Sequence, residues 1–171
     1  MKTWLSLTTL AAVAALSTTG CNSHCDPNAI GTICTVAGSG ENGYDHDADT
    51  TALPALEARF SLPQDMLPAP DGSLYILDWN NHRLRKLGTD GLVHWVAGRG
   101  ELGGSLDDPG SGDFNHPTNI IFDAAGTHIL IAAWHNSKIR TIDLATGMVT
   151  VSCGDGRRAY FGDDGPALTA S

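Results

Sequence analysis

Residues 74–85 read Leu-Tyr-Ile-Leu-Asp-Trp-Asn-Asn-His-Arg-Leu-Arg, and 55 residues later residues 129–140 read Ile-Leu-Ile-Ala-Ala-Trp-His-Asn-Ser-Lys-Ile-Arg. Each stretch consists of an apolar run, a turn with Trp and Asn, and a second run that ends on Arg. The apolar runs do not alternate with polar residues, so strands built from them need cover on both faces. Stacked sheets of a repeat architecture provide that cover, and the spacing predicts a unit of about 55 to 60 residues.

The segments that flank these stretches repeat as well. Val36-Ala37-Gly38 recurs as Val96-Ala97-Gly98, and Phe60-Ser61-Leu62-Pro63 recurs as Phe114-Asn115-His116-Pro117. Turns rich in Asp, Asn and Gly separate the apolar runs and supply the positive φ that tight hairpins need. We therefore predict four strands in each unit, at 64–69, 73–79, 82–88 and 92–97 and at 118–123, 128–134, 138–143 and 148–153.

As a set, these motifs resemble the NHL repeat, a four-stranded blade of β-propellers. The run from Leu74 to Arg85, with its Asp78 and its Asn-His-Arg sequence, carries most of the resemblance, and residues 162–167 match the family's segment between blades. The second unit departs from the pattern, because Ala133, Ser137 and Lys138 replace the Asp, the His and the first Arg. The resemblance also implies that His82 braces its own hairpin.

The resemblance implies an all-β fold, a partial β-propeller over residues 31–171. It contains two complete blades at about 64–97 and 118–153 and a lone closing strand at 32–37. Residues 166–170 echo residues 54–58, which precede the first blade, so we expect the start of a third unit there. The family usually has six blades, and two alone cannot close a ring, so we expect a longer natural protein.

The N-terminal segment predicts export. Residues 1–20 have the layout of a signal peptide, with Lys2, a short apolar run and small residues before Cys21. The Gly-Cys junction resembles the lipobox of bacterial lipoproteins, although Thr18 stands where that family usually has Leu. The resemblance implies a lipid on Cys21, a tether over residues 21–30, and anchoring to the cell envelope, at the outer membrane if the cell has one. The alternative is ordinary cleavage that leaves Cys21 unmodified.

Three further cysteines would then lie in an oxidising compartment. Cys25 and Cys34 are nine residues apart, and we predict a disulfide that fixes the N-terminal arm; the alternative is that Cys34 is a small buried apolar residue. Cys153 has no evident partner. No Cys-x-x-Cys pair supports a zinc site.

The charge balance excludes some partners. A formal net charge of −9 argues against nucleic acid and against attraction to anionic lipid, both of which need clustered Lys and Arg. Carboxylates are frequent in the loops 38–63 and 98–117, where they could hold Ca²⁺. The simpler interpretation is a solvated acidic loop, and we predict no cofactor. The carboxylates are Glu41, Asp45, Asp47, Asp49 and Glu57, and Glu101, Asp107, Asp108 and Asp113.

Antiparallel strands place the turns between the second and third strands on the same side as these long loops, which makes that side the candidate binding face. Its residues are Trp79, Asn80, Asn81, Trp134, His135 and Asn136. The tryptophans either form an aromatic shelf or pack between units, and the Asn residues also suit turn geometry. We predict a module that binds an envelope protein, a peptide or a glycan. The alternative is a propeller-type enzyme, a metal-assisted lyase or lactone hydrolase, for which His116 is the one residue to name.

Overall fold

The computed structural model describes residues 26, 28–44, 51–100, 103 and 112–171, and these form an all-β structure of two antiparallel sheets. Sheet one has the strand order β1-β5-β4-β3-β2, and sheet two has the order β6-β7-β8-β9. The strands are β1 (Leu53–Pro54), β2 (Pro63–Pro68), β3 (Leu74–Asp78), β4 (Arg83–Leu87), β5 (Leu92–Ala97), β6 (Pro117–Phe122), β7 (His128–Ala133), β8 (Lys138–Asp143) and β9 (Val149–Cys153).

The four antiparallel strands expected in each unit are confirmed, and each of these eight strands begins and ends within one residue of its predicted bounds; sheet one gains β1 as a fifth, edge strand. The sheets also share their irregularities. Register shifts fall between Pro63 and Asp65 and at the equivalent step in β6, and again between Leu84 and Arg85 and at the equivalent step in β8. Because bulges re-aim side chains and bend strands, both sheets present equivalent positions in the same directions.

The main core lies between the two sheets, where β2 and β3 pack against β6. Burial of this apolar area, at about 25 cal/mol per Å², is the main term that holds the sheets together. One hydrogen bond also fixes the alignment of the two sheets, because the Ile120 N–H on β6 donates to the Asp65 carboxylate on β2 at 2.9 Å. The buried core residues are Tyr75, Leu77, Leu84, Ala97, Phe114, Ile120, Ile129, Ile131, Ile142 and Val149.

The repeated glycine after the last strand of each sheet is required by close backbone approach. A Cβ on Gly98 would lie 2.2 Å from the carbonyl oxygen of His82, and a Cβ on Gly154 would lie 2.4 Å from that of Ser137. Both glycines also have φ of +92°. This is why a glycine follows the last strand of both sheets, after Val96-Ala97 in sheet one and after Ser152-Cys153 in sheet two.

The prediction of a strand at 32–37 is wrong, because this segment forms no strand and leaves Ile33 and Val36 exposed. A strand exists only through the backbone of a neighbour, and no neighbouring strand meets this segment in the described residues. The outer edge of β5 is instead met by β1, where Leu53 pairs with Val93. Within the described residues the strands form two separate sheets, and no hydrogen-bonded pair of strands joins one sheet to the other. All helical segments there are three-residue turns, too short to cross a membrane.

Candidate functional site

Each sheet carries a short 3₁₀ turn between its second and third strands, Trp79–Asn81 in sheet one and Trp134–Asn136 in sheet two. Both turns end on a left-handed residue, His82 with φ of 53° and Ser137 with φ of 50°. The N–H of that residue donates to the carbonyl of the Trp three positions earlier, at 3.1 Å. Because the two turns have the same shape, their two indoles lie at equivalent positions in the two sheets.

The Asn that closes each turn points into the protein and not towards a ligand. Asn81 Nδ2 donates to the carbonyl oxygen of Gly43 at 2.8 Å, and Asn136 Nδ2 donates to that of Gly103 at 3.1 Å. Asn136 Oδ1 also accepts the N–H of Asn115 at 2.9 Å. These two members of the predicted face tie each turn to the loop before its sheet.

Five aromatic or imidazole side chains form a continuous row across the two sheets, which we call the ring cluster: Trp79, His82, His116, His135 and Trp134. His116 is its centre, with ring centroids 4.6 Å from Trp79, 4.6 Å from His82 and 4.7 Å from His135. Trp134 and His135 are 4.1 Å apart. The row therefore connects both predicted turns through a residue of the loop that precedes β6.

The bracing role expected for His82 is different in the structure. Its Nδ1 accepts the backbone N–H of His116 at 3.2 Å, so it braces the loop of the next sheet. His116 itself has φ of 48°, an uncommon conformation for a residue with a side chain. The sequence pointed to His82 and His116 for separate reasons, and no motif indicated that their side chains are in contact.

The ring cluster differs in exposure along its length. Trp134 is 59% exposed at one end, and His82 is buried at the other. Trp79, His116 and His135 are half-buried, and Asn80 stands exposed beside them. The cluster thus presents an open indole face at one end and partly covered rings along the rest.

The imidazoles at the buried end are held neutral. Burial lowers the pKa of His82 to about 4, and the imidazoles of His116 and His135 lower it further by repulsion. Burial also lowers the pKa of His116, with His135 as the second cause. Both rings are therefore uncharged at pH 7 and contribute polar edges without a cation.

No three metal-ligating side chains within the described residues lie close enough to hold an ion. In the ring cluster, His82 Nδ1 is engaged by a backbone N–H, and His116 Nδ1 lies 2.7 Å from the Asn115 side-chain oxygen. Among the described residues, this geometry therefore gives no set of metal ligands around His116 to support the metal-dependent enzyme considered above. Most loop carboxylates considered for Ca²⁺, namely Asp45, Asp47, Asp49, Glu101, Asp107 and Asp108, lie outside the described residues.

The structure describes two of the four cysteines, Cys34 and Cys153. Cys34 is disulfide-bonded, and Cys153 is a half-buried free thiol. Residues 1–25, with the predicted signal peptide, Cys21 and Cys25, lie outside the described residues. The Cys25–Cys34 pairing and the lipid on Cys21 stay predictions.

Sequence reasoning did not find a buried polar network beneath the first turn. Asp78 accepts the Ser61 N–H at 2.8 Å and the Asn81 side-chain amide at 2.9 Å, and it pairs with Arg85 at 3.4 Å. Burial raises the pKa of Asp78, while the three donors oppose that change. The Arg85 guanidinium also stacks 4.6 Å from the Phe60 ring centre and donates to the Arg59 carbonyl. Part of the signal was present in the repeat, since Arg85 and Phe60 recur as Arg140 and Phe114, whereas Asp78 is replaced by Ala133.

Comparisons with known proteins give distant structural similarity and no family. No family model matches the chain, and no curated protein matches it. A structure of unknown function from Bacteroides thetaiotaomicron is 21% identical with a TM-score of 0.49, covering 68% of this chain and 31% of that one. An auxiliary nutrient binding protein from Bacteroides ovatus is 21% identical with a TM-score of 0.39, covering 66% and 26%. The chain thus spans about a third or less of the length of either structure, and neither similarity assigns its function.

Proposed function

We propose that the chain is an exported, lipid-anchored binding module of the cell envelope, built from blades of an NHL-type β-propeller, and that its ring cluster binds a glycan or peptide. The ring cluster is the observation that carries the proposal. It places two indoles from equivalent turns in one row and leaves Trp134 open to a ligand. An apolar surface with a few converging polar groups is the usual character of a binding site.

The chemistry of the ring cluster favours a neutral glycan over a charged peptide. The His82 and His116 rings are uncharged at pH 7, because burial lowers the pKa of each. Asn115 places its uncharged amide oxygen 2.7 Å from His116 Nδ1, and the exposed Asn80 follows Trp79 in the chain. Trp134 offers a flat face with its polar N–H at the edge. A sugar ring has one apolar face and a rim of hydroxyls, so it suits this combination.

The propeller part of the proposal has its own support. Apart from the edge strand β1, the two sheets repeat the same strand order, the same register shifts and the same turn-to-loop bonds, and they pack against each other through an apolar core. These are the relations expected between neighbouring blades.

A binding experiment tests the ligand class. The protein is applied to arrays of neutral oligosaccharides and of peptides, and hits are titrated by calorimetry. Trp134→Ala should weaken glycan binding at least tenfold. The matched control is Trp95→Ala, since Trp95 is also exposed but lies on β5 outside the ring cluster. Binding that is equal in the two variants would contradict the proposed site, and selective peptide binding would contradict the glycan.

The anchor is tested separately. Cys21→Ala should move the protein from the membrane fraction to the soluble fraction or leave it uncleaved, because acyl chains anchor by burying methylenes, at about 0.8 kcal/mol each. Fractionation and intact-mass measurement give the answer. Membrane partition that is unchanged in the variant would refute lipidation at Cys21.

A further inference from the structure

The chain makes the same loop-to-sheet junction twice. In the first, the loop of residues 38–60 meets sheet one, where Asn81 donates to the Gly43 carbonyl. In the second, the loop that follows β5 meets sheet two, where Asn136 donates to the Gly103 carbonyl. Gly43 and Gly103 both stand five residues after the glycine that ends the Val-Ala-Gly motif. The junction is therefore a repeated interface with defined donors and acceptors.

Arginines of the sheet complete each junction. Arg85 donates to the Arg59 carbonyl and stacks on Phe60, and Arg140 donates to the Asp113 carbonyl with its guanidinium 6.0 Å from the Phe114 ring centre.

The first junction has one more contact. The Arg83 guanidinium carbon lies 3.6 Å from the Tyr44 ring centre, and Arg83 donates to the Tyr44 hydroxyl. The loop thus offers carbonyl oxygens and aromatic faces, and the sheet offers an Asn amide and guanidinium groups.

A third copy of the loop follows β9. Residues 154–171 repeat the first loop's internal bonds: the Gly154 N–H donates to the Ala167 carbonyl at 3.0 Å, as the Gly38 N–H donates to the Ala55 carbonyl at 2.8 Å. The Asp155 N–H likewise donates to Ala170, in the way that Ser39 donates to Ala58. In this alignment Tyr160 takes the place of Tyr44, and Ala159 takes the place of Gly43.

The outward side of the third loop is open, unlike that of the first. Tyr160 is 87% exposed and Phe161 is 70% exposed, whereas Tyr44 is half-buried beneath Arg83. Leu168 is 58% exposed and lines an open cavity of about 360 Å³ together with Val149. The loop has the internal structure of a junction, and no sheet covers it within the described residues.

We propose that residues 154–171 are a docking surface for a further four-stranded sheet of this repeat, one that carries an Asn amide in its turn and two arginines on its third strand. Its Asn binds the Ala159 carbonyl, and its first Arg stacks on Tyr160. A second copy of the chain is a poor occupant, because its Asn81 and Arg85 are already bonded to its own first loop. The inference rests on the two junctions and is independent of the ligand proposed for the ring cluster.

The test supplies a sheet of this repeat in register with the third loop. Ala170 corresponds to Ala58 and Ser171 to Arg59, so a second copy of residues 60–97 is fused directly after Ser171. Hydrogen exchange is measured over residues 154–171 in the full chain and in the fusion. We expect exchange at these amides to slow at least tenfold in the fusion. In a matched fusion whose added copy carries Asn81→Ala, Arg83→Ala and Arg85→Ala, that protection should be lost.

Several outcomes would overturn the proposal. One is an added copy that gains no strand content by circular dichroism, and another is equal protection in the two fusions. Self-association of the unmodified protein in sedimentation, abolished by Tyr160→Ala, would identify a second copy of the chain as the occupant instead. Protection that depends on the three substituted residues, with an unmodified chain that stays monomeric, would support the proposed partner.

Discussion

The two sheets have the same backbone plan but hold their loops by different chemistry. In sheet one, the buried carboxylate of Asp78 accepts the loop N–H of Ser61. In sheet two, Ala133 stands at the Asp78 position, and the amide oxygen of Asn136 accepts the equivalent N–H of Asn115. In sheet two, the neutral amide of Asn136 therefore supplies the acceptor that the Asp78 carboxyl group supplies in sheet one.

The difference teaches that the repeat fixes the bond to be made and not the residue that makes it. Buried backbone N–H groups need acceptors, and either a carboxylate or an amide can serve. The carboxylate brings a desolvation cost, which is why burial raises the pKa of Asp78, and it needs Arg85 beside it. The neutral amide costs less to remove from water than a carboxylate. Without a carboxylate beside it, Arg140 donates to the carbonyl oxygen of Asp113.

The strongest test of this comparison gives sheet one the residue found in sheet two. Asp78→Ala removes the acceptor of the Ser61 N–H and leaves the buried Arg85 without its carboxylate. Breaking a buried ion pair from one side costs about 3–5 kcal/mol. Chemical denaturation should show a loss of that size. A loss below about 1 kcal/mol would mean that Arg85 is as well served by the Arg59 carbonyl as Arg140 is by its own.

The second test uses pH, because His82 in sheet one corresponds to Ser137, which does not titrate. Burial lowers the pKa of His82 from 6.5 to about 4, so between these pH values the unfolded chain binds a proton that the folded chain refuses. Stability should therefore fall as the pH drops from 6.5 to 4, by up to about 3 kcal/mol. Denaturation at several pH values measures the slope.

The groups that face His82 are the imidazoles of His116 and His135, and His116 contributes in the same direction because its pKa is also lowered. His82→Asn is the control, since Asn tolerates a left-handed backbone, can accept the His116 N–H and does not titrate. It should flatten most of the slope. An unchanged slope in this variant would assign the pH dependence to other groups.

The third test compares the two turn amides. Asn136→Ala removes both the donor to Gly103 and the acceptor of the Asn115 N–H, so it should cost about 2 kcal/mol. Asn81→Ala removes the donor to the Gly43 carbonyl and the donor to the buried Asp78 carboxylate, so it should cost about 3 kcal/mol, although Asp78 still accepts the loop N–H of sheet one. Denaturation of the two variants gives the order directly. A larger loss for Asn136 would show that accepting the loop N–H matters more than the bond to the buried Asp78 carboxylate.

The strands were predictable because several local signals agree at each of them. Apolar runs such as residues 74–77 mark the buried strands, and Asp-Gly or Asn-containing turns mark their ends. The failure at 32–37 has a different cause. Its sequence resembles the last strand of a unit, but a strand also needs a neighbouring backbone, which local sequence does not reveal.

The candidate site was predictable only in part. Repetition placed Trp79 and Trp134 at equivalent turns, and the structure puts both in the ring cluster. The link between them is His116, which lies 34 residues from His82 and belongs to an irregular loop. Contacts of that kind follow no helical or strand period, so no pattern in the sequence reports them.

The smallest effect concerns the residue that ends each turn. His82 and Ser137 share a left-handed backbone, with φ of 53° and 50°. A residue with a side chain is strained there by about 1 kcal/mol, and glycine is not. Ser137→Gly should therefore raise stability slightly, by less than about 1 kcal/mol, because glycine also loses more freedom on folding.

His82→Gly should lower stability, because the variant loses the His116 ring contact and the acceptor of the His116 N–H. Thermal melts of the two variants, shifted in opposite directions, would show that the ring of His82 and not its backbone explains why this turn keeps a histidine. A rise in both melting temperatures would show that backbone strain outweighs the contacts of the ring.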